Sequence, residues 1–283
     1  VYTNSYGVRA FGNATVYTTA KNLVAAIVLA AVLALAGKRA GGEGFTRPAG
    51  PAQWAGLAVV AVIGGSVPFI LFFSGLARVS GTSAAFIQKT LVIWVALLAV
   101  PALRERLGVW HVAAIGALVW GEAVLGHGLR AIPLSSGTAM IGAATLLWAV
   151  ETVVVKRLLG SLSALTVGTA RMGLGALILI GYTLITTKWS TLTAIGWHQW
   201  SWAIGTGLIL AAYVGTWFAA LARAGAIDVT AVLVAGAIIT ALLQGGTAVV
   251  WTGIALIAAG TLAVLLTGYR AVLPRAVPDA AAR

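Results

Sequence analysis

Residues 135–157 read SSGTAMIGAATLLWAVETVVVKR. An α-helix needs about 20 mostly apolar residues to cross the hydrocarbon core of a bilayer, and this run has that length. One carboxylate, Glu151, interrupts it, and Lys156 and Arg157 close it. The stretch reads as a membrane-spanning helix carrying a buried acid. The rest of the chain has the same character.

Further apolar runs lie near 14–37, 53–77, 80–101, 108–127, 164–187, 200–222, 228–245 and 247–268. The segment VYTNSYGVRAF (1–11) is too short to span and reads as the second half of a helix. The first residue is Val, so the true start is expected further upstream. The chain has 283 residues, of which 60% are hydrophobic and only 8% charged, with mean hydropathy +1.01. Soluble domains carry about 25% charged residues, so this composition points to an integral membrane protein. The runs are continuous and lack the alternation of an outer-membrane barrel strand. The 35 glycines suit closely packed membrane helices. The expected fold class is therefore all-α integral membrane, with ten transmembrane helices of which the first is truncated.

The net charge of +12 could suggest a nucleic-acid partner. The cations instead sit singly or in pairs at the ends of apolar runs, as membrane topology requires. If both termini share one side, that side receives Lys38, Arg39, Arg47, Arg104, Arg106, Lys156, Arg157, Arg223, Arg270, Arg275 and Arg283. The other side receives only Arg9, Arg78, Arg130 and Lys188, so both termini are expected to be cytoplasmic. The Trp-rich KWSTLTAIGWHQWSW (188–202) then lies outside, at the lipid interface.

Two blocks recur. TTAKNLVAAIVLAAVLAL (18–35) aligns with GTARMGLGALILIGYTLI (168–185), setting Lys21 on Arg171. VYTNSYGVR (1–9) aligns with WAVETVVVK (148–156), setting Asn4 on Glu151 and Arg9 on Lys156. The chain divides into two five-helix repeats, 1–127 and 135–268, followed by a cytoplasmic tail at 269–283. An odd number of helices per repeat inverts one relative to the other, the plan of many secondary transporters.

These residues resemble the EamA-type branch of the drug/metabolite transporter superfamily. Trp148-Ala149-Val150-Glu151 is similar to the family's Trp-small-x-Asn/Tyr motif, and Val1-Tyr2-Thr3-Asn4 to its tail. Ala20-Lys21 and Ala170-Arg171 are similar to its basic motif on the following helix. IQKTLVIWVALLAVPALRERLG (87–108) includes the Glu105 of its GE-x-L loop, and GIALIAAGTLAVLL (253–266) resembles its closing helix. The chain departs at three places. The second half lacks the GE-x-L loop, since ITALLQGG (239–246) runs directly into TAVVWTGIAL. Glu151 stands where Asn or Tyr is usual, and Arg104 where Gly is usual. The resemblance implies an inner-membrane, ten-helix, alternating-access carrier. Its substrates would be amino acids, sugar phosphates, nucleotide sugars or drugs, and amino-acid exporters are among the bacterial members.

No enzyme chemistry is expected. His111, His127 and His198 have no companion ligands, Cys is absent, and no Walker loop occurs. Neither metal nor cofactor is expected. The expected partners are a small-molecule substrate and the lipid bilayer, with a homodimer as an open alternative and no nucleic acid.

Ionisable groups inside a membrane are costly and are functional candidates by default. Glu151 is a candidate for binding a substrate ammonium group or for proton coupling; its bland reading is an ion pair with Lys21 or Arg171, or snorkelling beside Lys156. Lys89, flanked by Gln88 and near the midplane, is a candidate anion anchor; its bland reading is a pair with Glu151. Lys21 and Arg171 read as a structural basic pair, and Glu122 as interfacial. The family's cavity is lined by helices one, three, four, six, eight and nine, which adds Asn4, Trp94, Trp148, Tyr213 and Trp217 as candidate substrate contacts. Pro68, with Gly64 and Gly65 before it, is expected to kink and hinge the third helix.

Three substrate classes follow. A zwitterion such as an amino acid would use Glu151 and Lys89. A proton-coupled lipophilic cation would use Glu151 alone. A phosphorylated or nucleotide-linked anion requires Lys21, Lys89 and Arg171 to line one cavity, with Glu151 paired or protonated. A non-transporting scaffold would lack a polar cavity altogether.

Overall fold

A computed structural model of the chain describes residues 1–36, 44–108, 112, 115–116, 120, 135–187 and 189–232. The described elements are helices. They are α1 (Tyr2–Phe11), α2 (Ala14–Ala36), α3 (Pro51–Val60), a π-helical turn (Ala61–Ser66) and α4 (Val67–Leu76). Then come α5 (Gly81–Lys89), α6 (Leu91–Leu103), α7 (Ser136–Leu158), α8 (Ala164–Thr186), the short α9 (Trp189–Thr193), α10 (Trp197–Arg223) and α11 (Ala226–Val232). Among the described residues six helical stretches are long and apolar enough to cross a membrane, with α3, the π turn and α4 counting as one. The expected spans at 14–37, 53–77, 80–101, 135–157, 164–187 and 200–222 match these within three residues. Most of the fifth expected span, with Glu122, His111 and His127, lies outside the described residues. So do most of the ninth and all of the tenth.

Helix starts follow from local hydrogen bonding. The Thr15 and Val16 amides donate to Asn13 Oδ1 ahead of α2, at 3.0 and 3.1 Å. Ser80, Ser135 and Ser163 cap α5, α7 and α8 in the same way, and the Ser135 amide in turn donates to Thr138 Oγ1. These oxygens satisfy amides that the first turn leaves without partners. The end of α6 is less usual. Arg104 there has φ 56° and ψ 30°, the left-handed conformation that glycine adopts without strain. This explains why a glycine is the usual residue at that motif position.

Contacts across the chain define one end of the bundle. Gln53 Nε2 donates to Ser161 Oγ at 2.9 Å, and Ser163 Oγ to the Gly44 carbonyl at 2.7 Å. Lys156 and Arg157, predicted as topology markers, also bind helix ends there. Lys156 Nζ donates to the Leu221 and Ala224 carbonyls at 2.6 and 2.8 Å, and Arg157 Nη2 to Ala102 at 2.7 Å. Cations suit these sites because a helix C-terminus carries partial negative charge. The Glu105 carboxylate does the reverse, accepting from the Ala226 and Ile227 amides at the start of α11, at 2.7 and 3.1 Å.

α2 packs against α8 and α10, and α4 packs against α7. Tyr17, Phe72, Phe73, Phe218 and Leu221 are buried, while Leu35, Leu97, Leu177 and Ile185 point outward. Such a surface would aggregate in water but is solvated by lipid. The π turn contains Gly64, Gly65 and Ser66. A Cβ at Gly175 of α8 would lie 2.6 Å from the Gly65 carbonyl oxygen, so the two backbones touch there with no side chain between them. The kink expected at Pro68 thus takes the form of a π turn just before it. Proline lacks the N–H that the Gly64 carbonyl would accept in a regular α-helix, and the Trp148 indole N–H donates to that carbonyl at 3.2 Å.

Candidate functional site

A cavity of about 320 Å³ lies between α1, α2, α4, α5, α6, α7, α8, α10 and α11. Lys89 is the ninth residue of α5, Lys21 and Arg171 are each the eighth residue of a 23-residue helix, and Glu151 is two thirds along α7. The cavity therefore opens at mid-depth.

Of the residues expected to bind substrate, Asn4, Gln88, Lys89, Trp148, Glu151, Tyr213 and Trp217 line it. Trp94 does not; it is 38% exposed on the outer face of α6. Five residues of helix are about 140° of rotation from Lys89, which sends Trp94 nearly the opposite way. Lys21 and Arg171, set aside in the sequence as a structural pair, both line the cavity.

Glu151 meets Arg171. Arg171 Nε donates to Glu151 Oε1 and Nη2 to Oε2, the latter at 3.1 Å, in a two-pronged ion pair. Both residues are buried, Glu151 at 4% and Arg171 at 5% exposure. The guanidinium also lies 5.5 Å from the Phe69 ring centroid. Gly64 makes room for this pair, since a methyl group there would overlap the Glu151 carboxylate.

The matching residues of the first half also meet. Lys21 Nζ donates to Asn4 Oδ1 at 3.1 Å. The Tyr17 hydroxyl donates to the same oxygen at 2.7 Å and lies 3.0 Å from Thr206 Oγ1. Sequence reasoning passes over Tyr17 and Thr206. The available signal is that Tyr17 lies four residues before Lys21, on the same helix face.

Aromatic rings complete the walls. Tyr213 and Trp217 stack at 5.9 Å, and Trp148 packs edge-on to Phe69 at 5.6 Å. The site thus combines paired and caged charges with flat apolar surfaces, a lining suited to a small amphipathic solute. Among the described residues no cluster of His, Asp or Glu could hold a metal.

Residues 5–126 match the family model described as the EamA-like transporter family. A crystal structure of a protein 18% identical in sequence has a TM-score of 0.72 to this chain, covering 95% of it and 94% of its own chain. At that identity the likeness speaks for the fold. No curated protein matches the chain. The family that the motifs resemble is thus the one whose model matches residues 5–126 of this multi-pass membrane chain.

Proposed function

We propose that the chain is a secondary-active carrier that exports small organic metabolites, amino acids foremost, by alternating access. The observation that carries this reading is the mid-depth cavity, lined by Asn4, Gln88, Lys89, Trp148, Glu151, Tyr213 and Trp217. Two inverted five-helix repeats, 1–127 and 135–268, would rock about it. Support for the repeat comes from the pairing of its matched positions: Lys21 bonds Asn4 as Arg171 bonds Glu151. The bundle end holding Arg47, Arg104, Arg106, Lys156, Arg157 and Arg223 would face the cytoplasm of a bacterial cell.

A second reading, a carrier of anionic solutes, is favoured by one observation. Lys21, Lys89 and Arg171 all line the cavity, and Glu151 is paired. A lipophilic-cation exporter fits less well, because Glu151 already has Arg171 as its counter-ion.

The test is uptake into proteoliposomes of labelled amino acids, quaternary amines and phosphosugars, with and without a pH gradient. Amino-acid flux above that of empty liposomes is expected. Flux of phosphosugars alone would select the second reading. No flux of any solute would overturn the carrier reading.

A further inference from the structure

The two matched pairs are not electrically equivalent. Arg171 is neutralised by Glu151, whereas Lys21 is bonded to the uncharged amide of Asn4. Lys21 is 3% exposed. Its ammonium lies 4.4 Å from the Phe73 ring centroid and 5.8 Å from those of Tyr17 and Phe69. Among the described residues no carboxylate stands within ion-pair distance of it. Aromatic faces offset only part of the cost of a buried charge inside a membrane.

Asn4 is held in a definite orientation beside it. Its Oδ1 accepts from both Lys21 and the Tyr17 hydroxyl. An amide oxygen has two lone pairs, so both are occupied and the Asn4 NH2 is left as a donor at the cavity wall. An ammonium and an amide N–H side by side form a cradle for a carboxylate.

We propose that the transported solute is an organic carboxylate whose acidic group binds Lys21 Nζ and the Asn4 amide, with its apolar body against the Tyr213–Trp217 stack. This assignment rests on the carrier reading above. A dianionic phosphate is a poorer fit, because the Arg171 fork that would grip it is already occupied by Glu151. A cation is poorer still, since among the described residues three basic side chains line the cavity beside one acid.

The test measures binding to the purified full chain by tryptophan fluorescence, together with flux in proteoliposomes. The probes are leucine, N-acetylleucine, leucinamide and isobutyl phosphate. Leucine and N-acetylleucine should both bind, and leucinamide should bind at least about tenfold more weakly. Lys21→Gln should abolish that difference, Lys21→Arg should keep most of it, and Asn4→Ala should reduce it. If Lys21→Gln fails to fold, the ligand series on the wild type and Lys21→Arg still decides. Equal binding of acid and amide, tightest binding of the phosphate, or an acid preference that survives in Lys21→Gln would each overturn the assignment. A chain that binds leucine through Lys21 yet moves no solute would overturn the carrier reading alone. One that moves solutes regardless of their carboxylate would overturn the anchor alone.

Discussion

The Trp148 indole donates its N–H to the Gly64 carbonyl, the group that Pro68 leaves without a helical donor four residues on. Two helices thereby share one backbone repair. Trp148→Phe keeps an aromatic ring against Phe69 and Phe72 but removes the donor. It should cost about 1 kcal/mol, read as a lower melting temperature in detergent. An unchanged melt would show that the carbonyl is satisfied in another way.

Glu151→Gln leaves the Arg171 guanidinium buried without its counter-ion. Breaking one side of a buried pair costs about 3–5 kcal/mol, so this variant should be far less stable than the wild type. Glu151→Gln combined with Arg171→Gln should recover much of the loss, because no lone charge then remains. Chemical denaturation of the wild type, Glu151→Gln, Arg171→Gln and the double variant measures the coupling. Strictly additive losses would contradict the pairing.

The pairing also shows what the sequence could convey. Apolar run lengths placed six spans closely, because bilayer thickness dictates length. The acid in LLWAVETVVVKR was legible as a group that needs a partner, since an isolated charge there is costly. Which partner it takes was not, because sequence gives depth along a helix but not the direction in which each helix faces its neighbours. Lys89 and Arg171 were both at suitable depths, and only the packing of the π turn against α8 brings Arg171 to the acid. Lys21 read as structural for the same reason: its access to the cavity depends on how α1 crosses α2. Trp94 failed on rotation rather than depth.

Arg104 holds a left-handed conformation that costs a non-glycine residue about 1 kcal/mol. Arg104→Gly should therefore raise stability by about 0.5–1 kcal/mol despite the extra freedom of glycine in the unfolded chain. Thermal unfolding in detergent measures it. A destabilised variant would mean that the arginine side chain contributes more than its backbone costs.

Glu105 caps a helix on which it does not lie. Glu105→Ala should cost about 1 kcal/mol, the usual magnitude for a lost cap. It should also speed hydrogen exchange at the Ala226 and Ile227 amides. Glu105→Gln retains an acceptor and should show a smaller effect. Unaltered exchange at those two amides would contradict the cap.

The bare crossing of Gly65 on Gly175 has a consequence for how freely this sequence can drift. Where interlocking side chains set a spacing, every substitution resets it. Here the spacing is set by main-chain atoms, which are the same in every sequence. The lipid-facing residues of α3, α4 and α8 can exchange for others of any shape, as bilayers of different composition demand, and the joint keeps its width. Arg171 is one turn from that joint and Gly64 is next to it. The charge pair in the cavity therefore takes its position from a contact with no side chain to lose, so that the outer surface can diverge while the inner one is held.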